Sequence, residues 1–300
     1  MSDAFLAIVN PAAGGGRCGK LAKPALEQLR AAGIELDVAE SSGPGDATQV
    51  ARQAYARGRR NFIAVGGDGT AYEIVNGLFP DAEAAGKPVL AFLPLGTGNS
   101  FLRDFTSNVL EDAKEAILAR KRQPNDVFCL HHSGGKLYFI NLLSVGFTAD
   151  VTAAANRSFK GLGELGYLLG VFLCLARLRR QAFPVRADDD GDFDRRRCLF
   201  LSFNNSQYTG GNMRIAPQAC THDGLIEYVR WGPIGRIGLL RNLRTLFDGT
   251  HIYHPMASRR GVRRIEFALD RRVDVMIDGE VLTLKCESVE VLPGSLDVVI

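Results

Sequence analysis

Residues 61–76 read NFIAVGGDGTAYEIVN, and this stretch limits what the chain can become. Phe62 to Val65 is a short apolar run that ends at glycine, too short for a helix, and it reads as a buried parallel strand. Gly66, Gly67, Asp68, Gly69 and Thr70 follow directly, and helical spacing starts at Ala71 and runs to Phe79. A strand, a glycine turn and a helix in that order form half of a βαβ unit. In open α/β sheets, ligands sit beyond the carboxyl ends of the strands, at turns of this kind. Glycine lets backbone N–H groups approach a ligand closely, and the helix start adds a partial positive charge of about half a unit. The combination suits phosphate.

Asp68 is the odd residue in such a cradle. A carboxylate repels phosphate unless a cation lies between them or the carboxylate takes a proton, so Asp68 points to Mg²⁺ or to base chemistry. Thr70 and Glu73 have the spacing of a capping box, which gives Glu73 a local structural reading.

The pattern recurs along the first part of the chain. Ala4 to Val9 reads as a strand that runs into Asn10-Pro11-Ala12-Ala13-Gly14-Gly15-Gly16, with a helix from Cys18 to Ala32. This is not a Walker A loop, because the Gly-Lys-Ser/Thr ending is missing. Ile34 to Ala39 reads as a strand, residues 41–45 as a turn and Asp46 to Arg57 as a helix. Val89 to Leu93 is a fourth strand, ending in Pro94-Leu95-Gly96-Thr97-Gly98-Asn99-Ser100, with helices near Phe101 to Phe105 and Leu110 to Lys121. Four β–α alternations predict a doubly wound parallel sheet over residues 1–125. Glycine turns close three of its strands and could line one crevice, which predicts a nucleotide site.

After Pro124 the texture changes to short β-branched and aromatic runs: Asp126 to His132, Lys136 to Ser144, Phe183 to Ala187, Arg197 to Asn204, Leu225 to Trp231, Arg264 to Leu269 and Val273 to Ile277. They predict a β-rich antiparallel sandwich over 126–288, interrupted by helices near 149–179 and 234–247. The acidic run at 188–194 lacks the EF-hand glycine and glutamate positions and reads as a solvated hairpin tip. Asp223-Gly224 fits either a turn or a one-carboxylate cation site. Asp278-Gly279-Glu280 fits either a hairpin with two solvated acids or a turn that leaves Glu280 free to meet a hydroxyl. His131 and His132 fall on opposite faces of a strand, so joint ligation is not expected. His251 and His254 read as loop residues.

Bulk properties narrow the function further. A chain of 300 residues with 46 % hydrophobic content can bury a large core. Residues 151–300 carry 21 basic and 17 acidic side chains, too slight an excess to argue for nucleic acid but compatible with an anionic membrane surface. The cysteines at 18, 129, 174, 198, 220 and 286 show no C-x-x-C pair, which favours a reducing compartment over disulfides or zinc. No signal peptide is evident, and the most apolar stretch, Leu165 to Ala176, is 12 residues against the ~20 a membrane span needs. These features predict a cytoplasmic protein. A helix over Gly163 to Leu178, ending in Arg177, Arg179 and Arg180, fits either a core element or a contact with the inner face of a membrane.

With these residues in view, the chain resembles the lipid kinases that share the diacylglycerol kinase catalytic domain. They include bacterial diacylglycerol and lipid kinases and the sphingosine and ceramide kinases. The resemblance rests on Asn10-Pro11 and the glycines after it, Gly66 to Thr70, Pro94 to Asn99, Ala216-Pro217 with Asp223-Gly224, and Asp278-Gly279-Glu280. It implies an ATP-dependent lipid kinase with an N-terminal nucleotide domain, to which residues 289–300 return, and a C-terminal lipid domain. The implied nucleotide site takes in Asn10, Ser41, Gly66, Gly67, Asp68, Gly69, Thr70, Glu73, Gly96, Thr97 and Asn99, with Ser41 where the family usually has threonine. Cys220 and Leu225, through carbonyls, and Asp223 would hold a structural Mg²⁺. Glu280 matches the general base of the bacterial enzymes, while the sphingosine kinase branch gives that role to the aspartate at the Asp68 position. Ser100 replaces a common aspartate, and Gly210-Gly211-Asn212 replaces a common glycine run; both bear on which lipid is the acceptor. The alternatives are an NAD kinase-like or phosphofructokinase-like enzyme with a soluble acceptor, and a non-catalytic lipid- or nucleotide-binding module.

Overall fold

The computed structural model of the chain describes residues 4–146, 149, 180–188, 191–210 and 212–300. The helical segment expected over 149–179, including the apolar stretch 163–178, falls outside them apart from residue 149, as does Gly211. Two compact units divide the chain. One holds residues 1–127 and 294–300, the other residues 128–293.

The first unit alternates strand and helix as its sequence predicts. Its elements are β1 (Phe5–Val9), α1 (Arg17–Ala31), β2 (Leu36–Glu40), α2 (Asp46–Ala56), β3 (Asn61–Gly66), α3 (Asp68–Leu78), α4 (Asp81–Ala85), β4 (Val89–Pro94) and α5 (Val109–Ala119). The strands lie in the order β2-β1-β3-β4, all parallel. The chain's last strand joins them, with Asp297–Val299 pairing in parallel with Val89–Ala91.

Side chains alternate across this sheet with period two. Phe5, Ala7, Val9, Ile63, Val65, Ala91 and Leu93 share one core with Leu26 and Leu29 of α1 and Ile117 of α5. Ile8, Phe62, Ala64 and Phe92 are buried too, and α2 and α3 contact the same strands. Both faces are therefore covered, which is why these strands read as continuous apolar runs. Gly77 lets α3 approach α2, since a Cβ there would lie 2.4 Å from the Thr48 carbonyl oxygen. The expected helix near Phe101 is a single 3₁₀ turn, Phe101–Asp104.

The second unit is a β sandwich-like body. Its strands are β5 (Arg122–His132, entering from the first unit), β6 (Gly135–Phe139), β7 (Leu142–Gly146), β8 (Gln181–Ala182), β9 (Val185–Ala187), β10 (Arg197–Cys198), β11 (Phe200–Asn204), β12 (Tyr208–Thr209), β13 (Met213–Arg214), β14 (Ile226–Trp231), β15 (Ala257–Val262), β16 (Arg264–Phe267), β17 (Val273–Ile277), β18 (Glu280–Leu284) and β19 (Cys286–Val299). The main sheet runs β15-β14-β11-β7-β17-β18 and is antiparallel throughout. Phe200, Trp231, Val229, Met213 and Met276 build its core. Short helices at Arg236–Asn242 and Thr245–Asp248 fall where helical spacing predicts them.

Two local readings change. The run from Lys136 to Ser144 is not one strand but two, broken at Ile140 and Asn141, for a reason that lies in Asp278. The acidic run at 188–194 is not simply solvated. Asp188 accepts the N–H groups of Arg263 and Arg264 at 2.8 and 3.0 Å, and Asp194 pairs with Arg196 at 2.7 Å.

Candidate functional site

In the first unit the three glycine turns meet. Gly96 N–H donates to the Gly66 carbonyl at 2.7 Å, joining the turn after β4 to the turn after β3. Approach is so close that a Cβ on Gly96 would lie 2.6 Å from Gly67 Cα. The turn after β1 joins them through Gly14 (φ 62°), where a Cβ would lie 3.0 Å from the Leu95 carbonyl oxygen. Asn10 bridges in the same place. Its N–H donates to the Val65 carbonyl at 3.0 Å and its Nδ2 to Thr70 Oγ1 at 3.3 Å. A side chain on any of these glycines would fill the junction, so the backbone is bare where the turns converge.

Asp68 is the first residue of α3 and sits inside this junction. Its carboxylate accepts the N–H of Ser100 at 2.9 Å and of Phe101 at 3.4 Å. It therefore caps the 3₁₀ turn that follows β4. The residue keeps some exposure, but its carboxyl is enclosed by protein. Burial raises its pKa above the ordinary carboxylate value, and the Ser100 and Phe101 N–H groups, the Ser100 hydroxyl and Arg103 pull the other way. No side chain caps α3 at Gly67, and the N–H groups of Thr70 and Ala71 turn back to the Gly67 carbonyl. This leaves the N–H groups of Asp68 and Gly69 for solvent or an anion.

The capping box expected of Thr70 and Glu73 does not form, because α3 begins two residues before Thr70. Glu73 instead accepts the N–H of Gly45 at 3.0 Å, at the start of α2. Thr48 Oγ1 donates to the Glu73 carbonyl at 2.9 Å. Glu73 thus anchors the loop that carries Ser41, whose N–H donates to the Val9 carbonyl at 2.8 Å. Thr97 is exposed on the third turn, and Asn99 adopts φ 49° beside it. Arg103 was not visible as a site residue from sequence, since the third motif ends before it. It acts on Asp68 electrostatically, and its buried Nε has no hydrogen-bond partner among the described residues.

These residues fit a nucleotide phosphate with a cation. The bare junction gives room for phosphate, the uncapped helix start offers donors, and Asp68 supplies a hard oxygen ligand of the kind Mg²⁺ takes.

The second unit holds the remaining candidates. Asp278 and Gly279, at φ 47° and 91°, form the two-residue turn between β17 and β18. The reading of two solvated acids fails for Asp278, which is 3 % exposed. Its carboxylate accepts the N–H groups of Ile140, Asn141 and Leu142 at 3.0, 3.1 and 2.9 Å. Those three donors lie where β6 gives way to β7, so Asp278 is the reason the strand breaks there. Asn205 extends the network, donating from Nδ2 to the Ile140 carbonyl at 2.7 Å. Glu280, two residues on, is exposed. Asp223 accepts the N–H of Leu225 at 2.9 Å and is exposed. Cys220 Sγ lies 3.7 Å from His222 Nδ1.

The diacylglycerol kinase catalytic domain family matches residues 4–130, and the YegS C-terminal NAD kinase beta sandwich-like domain matches residues 141–300. The chain belongs to this family. A curated relative in Pseudomonas aeruginosa PAO1, named "Probable lipid kinase YegS-like", is 32 % identical over 92 % of this chain and 88 % of its own length. Its namesake in Pseudomonas syringae pv. tomato is 33 % identical over 92 % of this chain and 87 % of its own. Among solved structures, a diacylglycerol kinase from Bacillus anthracis superposes with a TM-score of 0.70 over 99 % of this chain and 96 % of that one, at 21 % identity. That likeness bears on the fold. The family assignment accounts for the two-part architecture, a parallel α/β unit followed by a β sandwich-like one.

Proposed function

We propose that the protein transfers the γ-phosphoryl group of ATP to a hydroxyl of a membrane lipid, such as a diacylglycerol or a sphingoid base. The observation that carries this reading is Asp68 at the junction of three bare glycine turns, in a chain whose curated relatives are named lipid kinases. Phosphoryl transfer asks mainly for positioning and charge neutralisation. In this reading the N–H groups of Asp68 and Gly69, with Gly66, Gly67, Gly96, Thr97 and Asn99, hold the phosphates. Asn10, Thr70, Ser41 and Glu73 keep the turns in register around them. Asp68 holds Mg²⁺, which when bound offsets charge on the transferred group. Arg103 adds a second positive charge from the 3₁₀ turn. Glu280 takes the proton of the lipid hydroxyl. Asp223 and the carbonyls of Cys220 and Leu225 would hold a second, structural Mg²⁺.

No helix among the described residues is long and apolar enough to cross a membrane. We assign lipid access to peripheral contact from the cytoplasmic side. Ile237, Leu240, Phe247, Tyr253 and Met256 are exposed within one stretch of the second unit. Arg236, Arg241 and Arg244 alternate with them in sequence, as interfacial segments on anionic lipid require.

The test is transfer of labelled γ-phosphate from ATP and Mg²⁺ to a panel of lipids in mixed micelles, with Asp68→Ala as the blank. A labelled lipid that the blank lacks supports the reading and names the acceptor. Label on a soluble acceptor such as NAD, or no transfer, overturns it.

A further inference from the structure

Strands β5 and β19 of the second unit bring together three side chains to which the kinase reading gives no role. Cys129 and His131 lie two apart on β5 and so share a face, and Glu290 lies on the paired strand β19. His131 Nε2 stands 2.7 Å from Glu290 Oε1 and 3.6 Å from Cys129 Sγ. The three ligand atoms all lie within 4.8 Å of one another.

Both contacts fall on the same ring nitrogen. A thiol–imidazole–carboxylate relay uses the two nitrogens separately, one for each partner. Here a protonated Nε2 serves Glu290 and offers the thiol nothing, and a deprotonated one faces the carboxylate without a proton between them. One donor atom each from sulfur, nitrogen and oxygen within 4.8 Å of one another is a set that a cation can use.

We propose that Cys129 Sγ, His131 Nε2 and Glu290 Oε1 bind one zinc-type divalent cation, with water in the fourth position. Thiolate, imidazole and carboxylate together select zinc over the hard cations Mg²⁺ and Ca²⁺. Ordinary Zn–S and Zn–N lengths at a tetrahedral angle place sulfur and nitrogen about 3.6 Å apart, the separation already present. Nitrogen and oxygen would stand about 3.4 Å apart, so Glu290 must withdraw by a fraction of an ångström. Its side chain is 32 % exposed, which leaves room for that shift. Arg264 Nη1 holds the other carboxylate oxygen, Oε2, at 3.2 Å. It orients Oε1 toward the histidine, as a supporting partner does in metal sites. On binding, the Cys129 thiol loses its proton to solvent as the metal–sulfur bond forms, and thiolate plus carboxylate balance the dication. The ion enters past the half-exposed His131 and Glu290 and meets the buried sulfur beneath. It would then staple β5 to β19.

The test uses the full chain, stripped of metal with a chelator and titrated with Co²⁺ and then Zn²⁺. The expected result is one equivalent of Co²⁺ with a thiolate-to-metal charge-transfer band and visible bands of four-coordinate intensity, displaced by one equivalent of Zn²⁺. Cys129→Ser removes the charge-transfer band. His131→Gln and Glu290→Gln, at partly exposed positions, each remove a ligand and weaken Zn²⁺ binding by more than the ~10–100-fold that loss of an outer-shell partner costs. Absence of the charge-transfer band in the natural sequence overturns the proposal, and so does a band that His131→Gln leaves unchanged.

Discussion

Two Asp-Gly pairs, one at a helix start in the first unit and one in a hairpin of the second, use a carboxylate in the same physical way and reach opposite ends. Asp68 and Asp278 both accept backbone N–H groups from a distant loop. Asp278 spends both oxygens on three amides deep in the sandwich and holds the strand break between β6 and β7. Asp68 takes two amides and the Ser100 hydroxyl at a junction that also holds the uncapped start of α3. The neighbours differ as well. Next to Asp68 stand the glycines of the turns, and a Cβ on Gly98 would lie 3.1 Å from its Oδ2. After Asp278, the hairpin carries Glu280 out to solvent. Under the proposed function Asp68 is the working acid, and Asp278 positions the strand break. In the Asp278-Gly279-Glu280 motif the conspicuous aspartate is the anchor, and the free glutamate is the reactive candidate.

Activity gives the largest contrast. Asp68→Ala is expected to lower kcat by about 10³-fold or more, and Glu280→Gln by about 10²–10⁴-fold, with both proteins keeping the circular dichroism of the parent and Glu280→Gln its melting temperature. Near-parental turnover in both variants would erase the assignment of working acids.

Stability comes next and belongs to the other aspartate. Asp278→Ala leaves three buried N–H groups without their acceptor, which is expected to cost about 3 kcal/mol or more. Urea unfolding checks this through a lower midpoint at unchanged slope. A loss below about 1 kcal/mol would mean that Asp278 does not anchor the strand break.

The smallest effect sharpens the comparison through pH. Asp68 has a folded-state pKa raised above its unfolded value. Such a group favours the folded state below its ordinary pKa, and that contribution is lost as pH rises toward the folded pKa. Asp68→Asn removes the penalty of a buried charge. The variant is expected to melt at or above the parental temperature at neutral pH, with the difference shrinking toward pH 4, while remaining inactive. A variant that melts well below the parent at pH 7 would show that Asp68 is chiefly a structural cap.

Much of this was legible in the sequence. Parallel strands buried on both faces must read as apolar runs, so β1, β3 and β4 declared themselves, and glycine clusters at their ends marked the turns. The short strands of the second unit were visible as separate apolar runs, and their number predicted the sandwich. Less was legible where a residue's partner lies far along the chain. Thr70 and Glu73 carry a local capping signal, yet Glu73 serves Gly45 on another helix. Asp278 looked solvated because its three donors lie more than 130 residues earlier. β15 and β18 were missed because arginines and a glutamate dilute their pattern.

By itself the sequence determined the order of elements, the division into a parallel α/β part and a β-rich part, and the glycine turns that close β1, β3 and β4. These follow from short-range rules of periodicity and backbone freedom. Only the tertiary structure decided which carboxylates are engaged. Asp68 crosses from one turn to the next, Asp278 reaches back to the β6–β7 break, and Glu290 meets His131 across two strands. Periodicity tells which face a side chain occupies, but what stands opposite it depends on chain crossings that no local pattern records.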